Sequence, residues 1–413
     1  MGIFKRNYCC FFFCCLLSGR LLAQPQKLYL NPATAGPAAQ SNFIEITRFI
    51  PIDAATEKIS TNTSLFITKN YWVAYDYIEK KLSFFTKQGK FIKFIAMKKY
   101  GEPVIVYDSK AELLKFNIKN KNYTLTNNDL VAIRAHYAKK ANQKYFKNYE
   151  INLKEESLQI KRTTTDPYFI INARPFYDDY YYRSDMSIQP RAKDTSGYEL
   201  QLLEDHKPVK SFFPFNRTGN HIFRYANAQM YLSDTDTAYI KYTSRPFSPV
   251  IYKMNKNSIS PVYEIVLPLE NAMPSSRFIN GFKSKADWDN FQNSNGAIFF
   301  SFNSIRDMGR HLFFGIRFLR NYESFLYDKN TAKFYKSKMI KADSSQYNIQ
   351  LLQNGLGQYA DSHYYALIPA QSFLDFYEKN KEKKIVYPPE LERFFKTATK
   401  NSNPVMVEYK IKD

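Results

Sequence analysis

Short runs in which apolar, mostly aromatic residues alternate with polar ones recur along the chain. The first clear set is Tyr71–Asp76, Lys81–Phe85 and Lys90–Ile95, with a polar turn after the first run and Gln88-Gly89 after the second. Alternation with a period of two places successive side chains on opposite faces of a strand, and a glycine-bearing turn suits a hairpin. The pattern therefore predicts three consecutive strands.

The same pattern returns in a second set, Val104–Asp108, Leu113–Phe116 and Tyr123–Leu125. In both sets an Asp ends the first run, a Leu follows six positions later and a Phe eight positions later. A strand unit that repeats within one chain indicates a propeller or another array.

Further pairs of alternating runs follow, each joined by a turn rich in Asp, Asn or Lys. They are Tyr198–Leu203 with Val209–Phe213, Val250–Met254 with Val262–Val266, and Phe325–Tyr327 with Lys333–Tyr335. Units of roughly 40 to 65 residues would fill the chain with about six blades. The prediction is an all-β, six-bladed β-propeller.

Two kinds of segment depart from this pattern. Residues 128–149 have a helix-compatible composition and predict an insertion between blades, and Ser372–Lys383 and Pro389–Thr399 predict short helices. Proline suits the first turn of the second helix. The alternating segment Val405–Lys412 predicts a terminal strand, which we expect to close the ring with the early strand Asn42–Thr47. No Pro/Gly/Ser-rich linker divides the body, which predicts one domain over residues 24–413.

The N-terminus has the layout of an export signal. Lys5 and Arg6 precede an apolar run that is too short to span a bilayer, and small Ala23 precedes Gln24. We expect residues 1–23 to be removed between Ala23 and Gln24. The protein would then lie in the periplasm or outside the cell, and no later stretch is apolar enough to predict a membrane span.

Composition narrows the chemistry that the chain can offer. All four cysteines lie within residues 1–23, so the predicted mature chain has neither a disulfide nor a thiol nucleophile. The formal net charge is +21, but the lysines are scattered and many lie in turns. This distribution does not predict specific nucleic-acid binding, since basic charge alone is a nonspecific signal.

The search for catalytic or metal-binding residues gives one candidate cluster. None of the five histidines lies within four residues of another, so the spacing predicts no metal site, and we expect no cofactor. The most distinctive local feature combines aromatic, acidic and basic side chains at Tyr177, Asp178, Asp179, Tyr181 and Arg183. Such a cluster would suit stacking on a sugar or docking a partner protein. The alternative is an ordinary strand whose aromatic residues pack between blades.

Several of these segments together resemble a known family. Tyr71–Ile95 resembles an NHL-type repeat, and the matches continue at Tyr198–Asn216, Val250–Tyr263 and Asn403–Val407. The chain is similar to the six-bladed β-propellers (NHL/TolB-like) of exported Bacteroidota proteins. It departs from them in a reduced glycine loop at residues 100–103 and in a turn at residues 204–207 that lacks glycine. The resemblance implies the architecture and brings no active-site motif.

The expected function is that of an exported, non-catalytic binding or scaffold module. We expect a protein or a glycan as its partner, and we expect the chain to act as a monomer. The alternative is a propeller enzyme that acts on a glycan or a peptide at the central channel. Three or more acids, histidines or arginines gathered at one channel mouth would favour the enzyme.

Overall fold

A computed structural model describes residues 24–53, 58–60, 63–100, 103–119, 146–163, 173–177, 180–184, 196–204, 207–216 and 240–412. These residues are mostly β, and their strands form six sheets of four or five strands each. Three strands come before the first complete sheet: β1 (Gln26–Tyr29), β2 (Gly36–Ala39) and β3 (Ile44–Pro51).

Sheets 1, 2 and 3 are each built from four strands that follow one another along the chain and pair antiparallel. Sheet 1 contains β4 (Thr63–Ile67), β5 (Tyr71–Asp76), β6 (Lys81–Thr86) and β7 (Phe91–Ala96). Sheet 2 contains β8 (Val104–Asp108), β9 (Leu113–Lys119), β10 (Phe146–Asn152) and β11 (Ile160–Thr163). Sheet 3 contains β12 (Ala173–Tyr177), β13 (Tyr180–Ser184), β14 (Ser196–Glu204) and β15 (Lys207–Asn216).

Sheets 4, 5 and 6 each combine consecutive strands with one strand from the N-terminus. Sheet 4 contains β16 (Lys241–Ser244), β17 (Val250–Met254), β18 (Ile259–Val266) and β1. Sheet 5 contains β19 (Phe299–Met308), β20 (His311–Phe318), β21 (Tyr322–Asp328), β22 (Lys333–Lys341) and β2. Sheet 6 contains β23 (Gln358–Ala360), β24 (His363–Ile368), β25 (Val405–Ile411) and β3.

The N-terminal strands therefore occupy the edges of three successive sheets. β1 pairs parallel with β18, β2 pairs parallel with β22, and β3 pairs antiparallel with β25. The predicted pairing of an early strand with the final strand is confirmed, with β3 extending to Pro51. The two parallel pairings were not predicted.

Apolar side chains join the sheets in chain order. Shared buried clusters link sheet 1 with 2, sheet 3 with 4, sheet 4 with 5, sheet 5 with 6, and sheet 6 with 1. In sheet 6, Val407 packs toward sheet 5 while its neighbour Met406 packs with Trp72 of sheet 1. Both side chains are fully buried, so β25 is covered on both faces and the last sheet contacts the first.

The repeated Asp of the sequence has a structural explanation. Asp76 and Asp108 end their strands, and each accepts hydrogen bonds from backbone N–H groups of the next turn, those of Ile78 and Ala111 among them, at 2.8 and 3.0 Å. Asp328 does the same for the N–H of Asn330 at 2.9 Å. A side chain of this kind replaces part of the backbone hydrogen bonding that a turn loses. The repeat thus encodes turns rather than a site.

Four α-helices lie within the described residues: α1 (Ser275–Asn280), α2 (Lys285–Ser294), α3 (Ala370–Asn380) and α4 (Pro389–Thr397). The last two confirm the predicted helices near the C-terminus. The prediction for residues 128–149 is wrong at its end, because residues 146–149 belong to strand β10, and the rest of that segment lies outside the described residues.

Candidate functional site: a groove beside helix α4

The cluster singled out in the sequence is only partly described. Asp178 and Asp179 lie outside the described residues, while Tyr177 ends β12 and Tyr181 and Arg183 belong to β13. The backbones of Tyr181 and Arg183 pair with Pro175 and Ala173 across the two strands. This agrees with the expected strand, and the binding role of the cluster stays a prediction. Ala23 also lies outside the described residues, and Gln24 is the first residue within them.

A groove of about 570 Å³ lies between the end of β3, the β6–β7 turn and helix α4. Pockets for small ligands span roughly 300–1,000 Å³, so this volume suffices for one. Fourteen residues line the groove: Arg48, Phe49, Ile50, Pro51, Ile52, Asp53, Gln88, Glu390, Arg393, Phe394, Thr397, Ala398, Ser402 and Asn403.

Helix α4 forms one wall because of its amphipathic sequence. Pro389 starts the helix, where its fixed φ and missing N–H cost nothing. Leu391 and Phe394 are buried in the core formed with sheets 5 and 6. Glu390, Arg393 and Thr397 recur at three- and four-residue spacing, which places them on one face of the helix. That face borders the groove.

The opposite wall depends on close approach of two backbones. Gly89 has a φ of +81°, and a Cβ at this position would lie 2.7 Å from the carbonyl oxygen of Pro51. The Asp53 N–H donates to the Gly89 carbonyl at 2.9 Å. Only glycine combines a readily adopted positive φ with the absence of a side chain, so Gly89 lets the β6–β7 turn lie against the end of β3.

Asn403 holds the third side of the groove. Its side-chain amide donates to the Asp53 carbonyl at 2.8 Å, and its Oδ1 accepts the Ile59 N–H at 2.9 Å. Asn403 is buried, so these bonds are shielded from water. These bonds hold the backbone of this wall in place, and more exposed side chains extend from it into the groove.

Two charged groups on α4 are available to a ligand. Neither the Arg393 guanidinium nor the Glu390 carboxylate has an ion pair or a side-chain hydrogen bond with any described residue. Arg393 is exposed and Glu390 is half-buried. Phe49 and Phe394, both buried, supply apolar surface between the walls. The groove therefore offers the Arg393 cation and the Glu390 anion beside an apolar floor.

A row of charged residues continues from Arg48 along the face between sheets 6 and 1. The Glu408 carboxylate accepts hydrogen bonds from Arg48 Nη2 at 2.8 Å and from Thr47 Oγ1 at 3.2 Å. His363 Nε2 lies 3.7 Å from Glu408 Oε1. Burial, with the Glu408 charge, raises the pKa of Tyr365 to about 12.

Lys87 joins this row from the β6–β7 turn, and its Nζ lies 3.7 Å from Asp361 Oδ2. Burial lowers the pKa of Lys87 below its usual value, and the Asp361 carboxylate opposes this. Across the described residues, no group of three or more His, Cys, Asp or Glu side chains has a geometry that would hold a metal ion. The arrangement suits recognition by charge and hydrogen bonding.

Sequence reasoning missed this groove. Its lining comes from residues 48–53, from one hairpin turn and from residues 390–403, which are far apart in the chain. Two local features of the groove can be seen in the sequence, the glycine of Gln88-Gly89 and the proline pair before α4, but by themselves they indicate only a turn and the start of a helix.

Comparison with known proteins gives structural likeness at low sequence identity. A protein from Bacteroides fragilis NCTC 9343 that is inferred to be exported superimposes with a TM-score of 0.55 and 13% identity, over 94% of this chain and 100% of that one. A member of the DUF4221 family from Bacteroides vulgatus gives a TM-score of 0.40 and 9% identity, over 90% and 98% of the two chains. The β-propeller domain of the Trilobed protease from Pyrococcus furiosus gives 0.29 and 10%, over 75% and 78%.

The first of these likenesses shows a shared fold. No family model and no curated protein sequence matches the chain. Among the described residues, no helix combines the length and the apolar character needed to cross a bilayer.

Proposed function

We propose that the protein is an exported six-bladed β-propeller of one domain, residues 24–413, that serves as a binding module. The order of sheet contacts supports this architecture. Shared buried clusters join sheet 3 to sheet 4, sheet 4 to sheet 5, sheet 5 to sheet 6, sheet 6 to sheet 1, and sheet 1 to sheet 2. Contacts that run in one order from sheet 3 through sheets 4, 5, 6 and 1 to sheet 2 are those expected of blades arranged around an axis.

Export rests on the N-terminal pattern of the sequence, in which Ala23 precedes the proposed cleavage point. The likeness to a Bacteroides protein that is inferred to be exported agrees with it. Mass spectrometry of the secreted or periplasmic protein should find Gln24 at the N-terminus. An intact residue 1, or a lipid on a cysteine, would contradict the proposal.

The groove beside α4 is the proposed binding site. The observation that carries this is the pair Arg393 and Glu390, which project into a cavity of ligand size without partners among the described residues. Charged groups kept free beside buried aromatic side chains suit a ligand that carries polar groups of both signs. A segment of a protein or a charged glycan has this chemistry.

The test uses residues 24–413 on peptide and glycan arrays. Arg393→Ala and Glu390→Gln should each weaken binding of the captured peptide or glycan by about tenfold, the loss expected when one charged contact of about 1.4 kcal/mol is removed. Lys396→Ala is the matched control, because Lys396 is an exposed cation on the same helix and does not line the groove. Unchanged binding by both groove variants would contradict the site.

A second function, hydrolysis of a peptide or glycan, is favoured by one observation. His363 and Glu408 place an imidazole 3.7 Å from a carboxylate next to the groove, and such pairs can move protons. Arg48 and Thr47 already hold that carboxylate, which favours a structural role. Incubation with the captured ligand followed by mass spectrometry decides between them. We expect unchanged ligand, whereas cleavage lost in His363→Ala would establish the enzyme.

A further inference from the structure

Strand β7 lies at one end of sheet 1. In the order β4-β5-β6-β7, its far side carries no strand from the described part of the chain. An edge strand presents a row of backbone N–H and C=O groups that can pair with another chain.

Three other end strands have features that oppose such pairing. β2 contains Pro37 and β15 contains Pro208 and Pro214, and proline cannot donate a ladder hydrogen bond. β11 has only four residues, of which Lys161 and Arg162 are charged. β7 has six residues and no proline.

The exposed side chains of β7 are apolar. Phe91, Lys93 and Ile95 are half-buried, while Ile92 and Phe94 between them are 38% and 50% exposed. Proteins often protect an edge strand with an outward lysine. Here Lys93 donates a hydrogen bond to the Ser157 carbonyl, in the turn between β10 and β11, so it does not shield the strand.

The chain segment that contains β7 is strongly basic. Lys90 precedes the strand, Lys98 and Lys99 follow it, and all three are exposed. No acidic residue occurs between Lys80 and Tyr100. A second copy of this chain would bring the same lysines to the edge and be repelled, whereas an acidic segment would be attracted.

We propose that β7 is a docking edge for an extended acidic segment of a partner protein, which adds to sheet 1 as a fifth strand. Backbone hydrogen bonds supply the pairing, Ile92 and Phe94 contact alternate side chains of the segment, and the flanking lysines select its charge. The edge and the α4 groove have different lining residues, so variants can test each site separately.

The experiment measures fluorescence anisotropy of labelled peptides with residues 24–413. The probe is a seven-residue peptide of alternating Glu and Val. The comparison peptides replace every Glu by Lys, or the central Val by Pro. We expect the acidic peptide to bind at least about tenfold more tightly than either comparison peptide.

Phe94→Glu should weaken binding of the acidic peptide by about tenfold or more, since it removes an apolar contact and adds a repelling charge. Ile279→Glu is the matched control, because Ile279 is a 76% exposed apolar residue on α1, and it should bind as the wild type does. If circular dichroism shows that Phe94→Glu is unfolded, Ile92→Asp takes its place, and we expect it to weaken binding of the acidic peptide in the same way. Arg393→Ala should bind the peptide normally, which separates this site from the groove.

Equal binding of the acidic and basic peptides, or normal binding by the β7 variants, would overturn the proposal. So would a wild-type dimer in sedimentation that Phe94→Glu converts to a monomer, because the occupant of the edge would then be a second copy.

Discussion

Arg245 holds the carboxylate of Glu199 with two hydrogen bonds, from Nε to Oε2 at 2.8 Å and from Nη2 to Oε1 at 2.6 Å. Glu199 lies on β14 of sheet 3 and is fully buried, while Arg245 directly follows β16 of sheet 4. The guanidinium carbon also lies 4.8 Å from the centre of the Phe213 ring. A bidentate pair of this kind fixes the two sheets in one relative position.

We expect Arg245→Ala to lower the free energy of unfolding by roughly 3–5 kcal/mol, because the Glu199 carboxylate would remain buried without its partner. Urea denaturation followed by fluorescence measures the change. Lys161→Ala is the control: its pair with Glu155 is exposed and should contribute less than about 1 kcal/mol.

Replacing both partners by apolar residues, as in Glu199→Leu with Arg245→Met, should destabilise the protein less than Arg245→Ala alone. The double variant leaves no unpaired charge in the interior. Additive losses from the two positions would show that the pair is not coupled.

Acid should weaken the protein through Asp328. The Arg310 guanidinium hydrogen-bonds this buried carboxylate and holds its pKa well below the usual range. A lowered pKa in the folded state gives stability that is present above the unfolded pKa of about 3.9 and is lost as the pH falls below it. Melting temperatures between pH 6 and pH 3 should therefore fall less steeply for Asp328→Asn than for the wild type. At neutral pH that variant should lose roughly 1–3 kcal/mol.

His311 should give a second, separate pH dependence. It is fully buried, its ring packs edge-on against Phe43 at 5.5 Å, and burial lowers its pKa. The folded protein holds this ring neutral, so stability is present above the unfolded pKa of about 6.5 and falls as the pH drops below it. In His311→Leu the melting temperature should change less between pH 7 and pH 5 than in the wild type. The fall in melting temperature below pH 4 should remain. An unchanged slope between pH 7 and pH 5 would exclude His311 as its source.

Truncation after Asn403 should give insoluble or strongly destabilised protein. The deleted strand β25 lies between β24 and β3, and Val405, Val407 and Tyr409 are fully buried. Each such side chain contributes roughly 1.5–3 kcal/mol, and together they approach the whole stability of a domain. Removal of Asp413 alone is the control and should leave melting unchanged. A soluble truncated protein that melts like the full chain would contradict the role of the strand.

Much of the fold could be predicted because its information is local. Alternating runs identified β5, β6, β17 and other strands, about half of those in the described residues, to within a few residues, and α3 and α4 followed from their composition and from Pro389. These features depend on neighbours in the sequence, whose periodicity matches the geometry of one strand or one helix.

The unpredicted parts depend on distant residues or on weak local signals. Helix α2 carries a cap in which Ser284 accepts the Asp287 N–H, but its aromatic residues Trp288 and Phe291 look like strand material in this chain. β2 is short and contains a proline, and nothing near it in sequence specifies the parallel partner β22. The groove could not be predicted for the same reason, since Arg48 and Arg393 meet only in three dimensions.

The placement of β1, β2 and β3 determines when folding can finish. Each of these strands pairs with a partner that is made much later: Thr47 and Glu408, which share a hydrogen bond, are separated by 361 residues. Contacts between residues this far apart in sequence form slowly, because closing a very long loop costs chain entropy before the strand pairing can offset that cost. Each N-terminal strand therefore waits, unpaired, until its partner has been made: β1 for β18, β2 for β22 and β3 for β25. Sheet 6 is the last of the three sheets to gain its N-terminal strand.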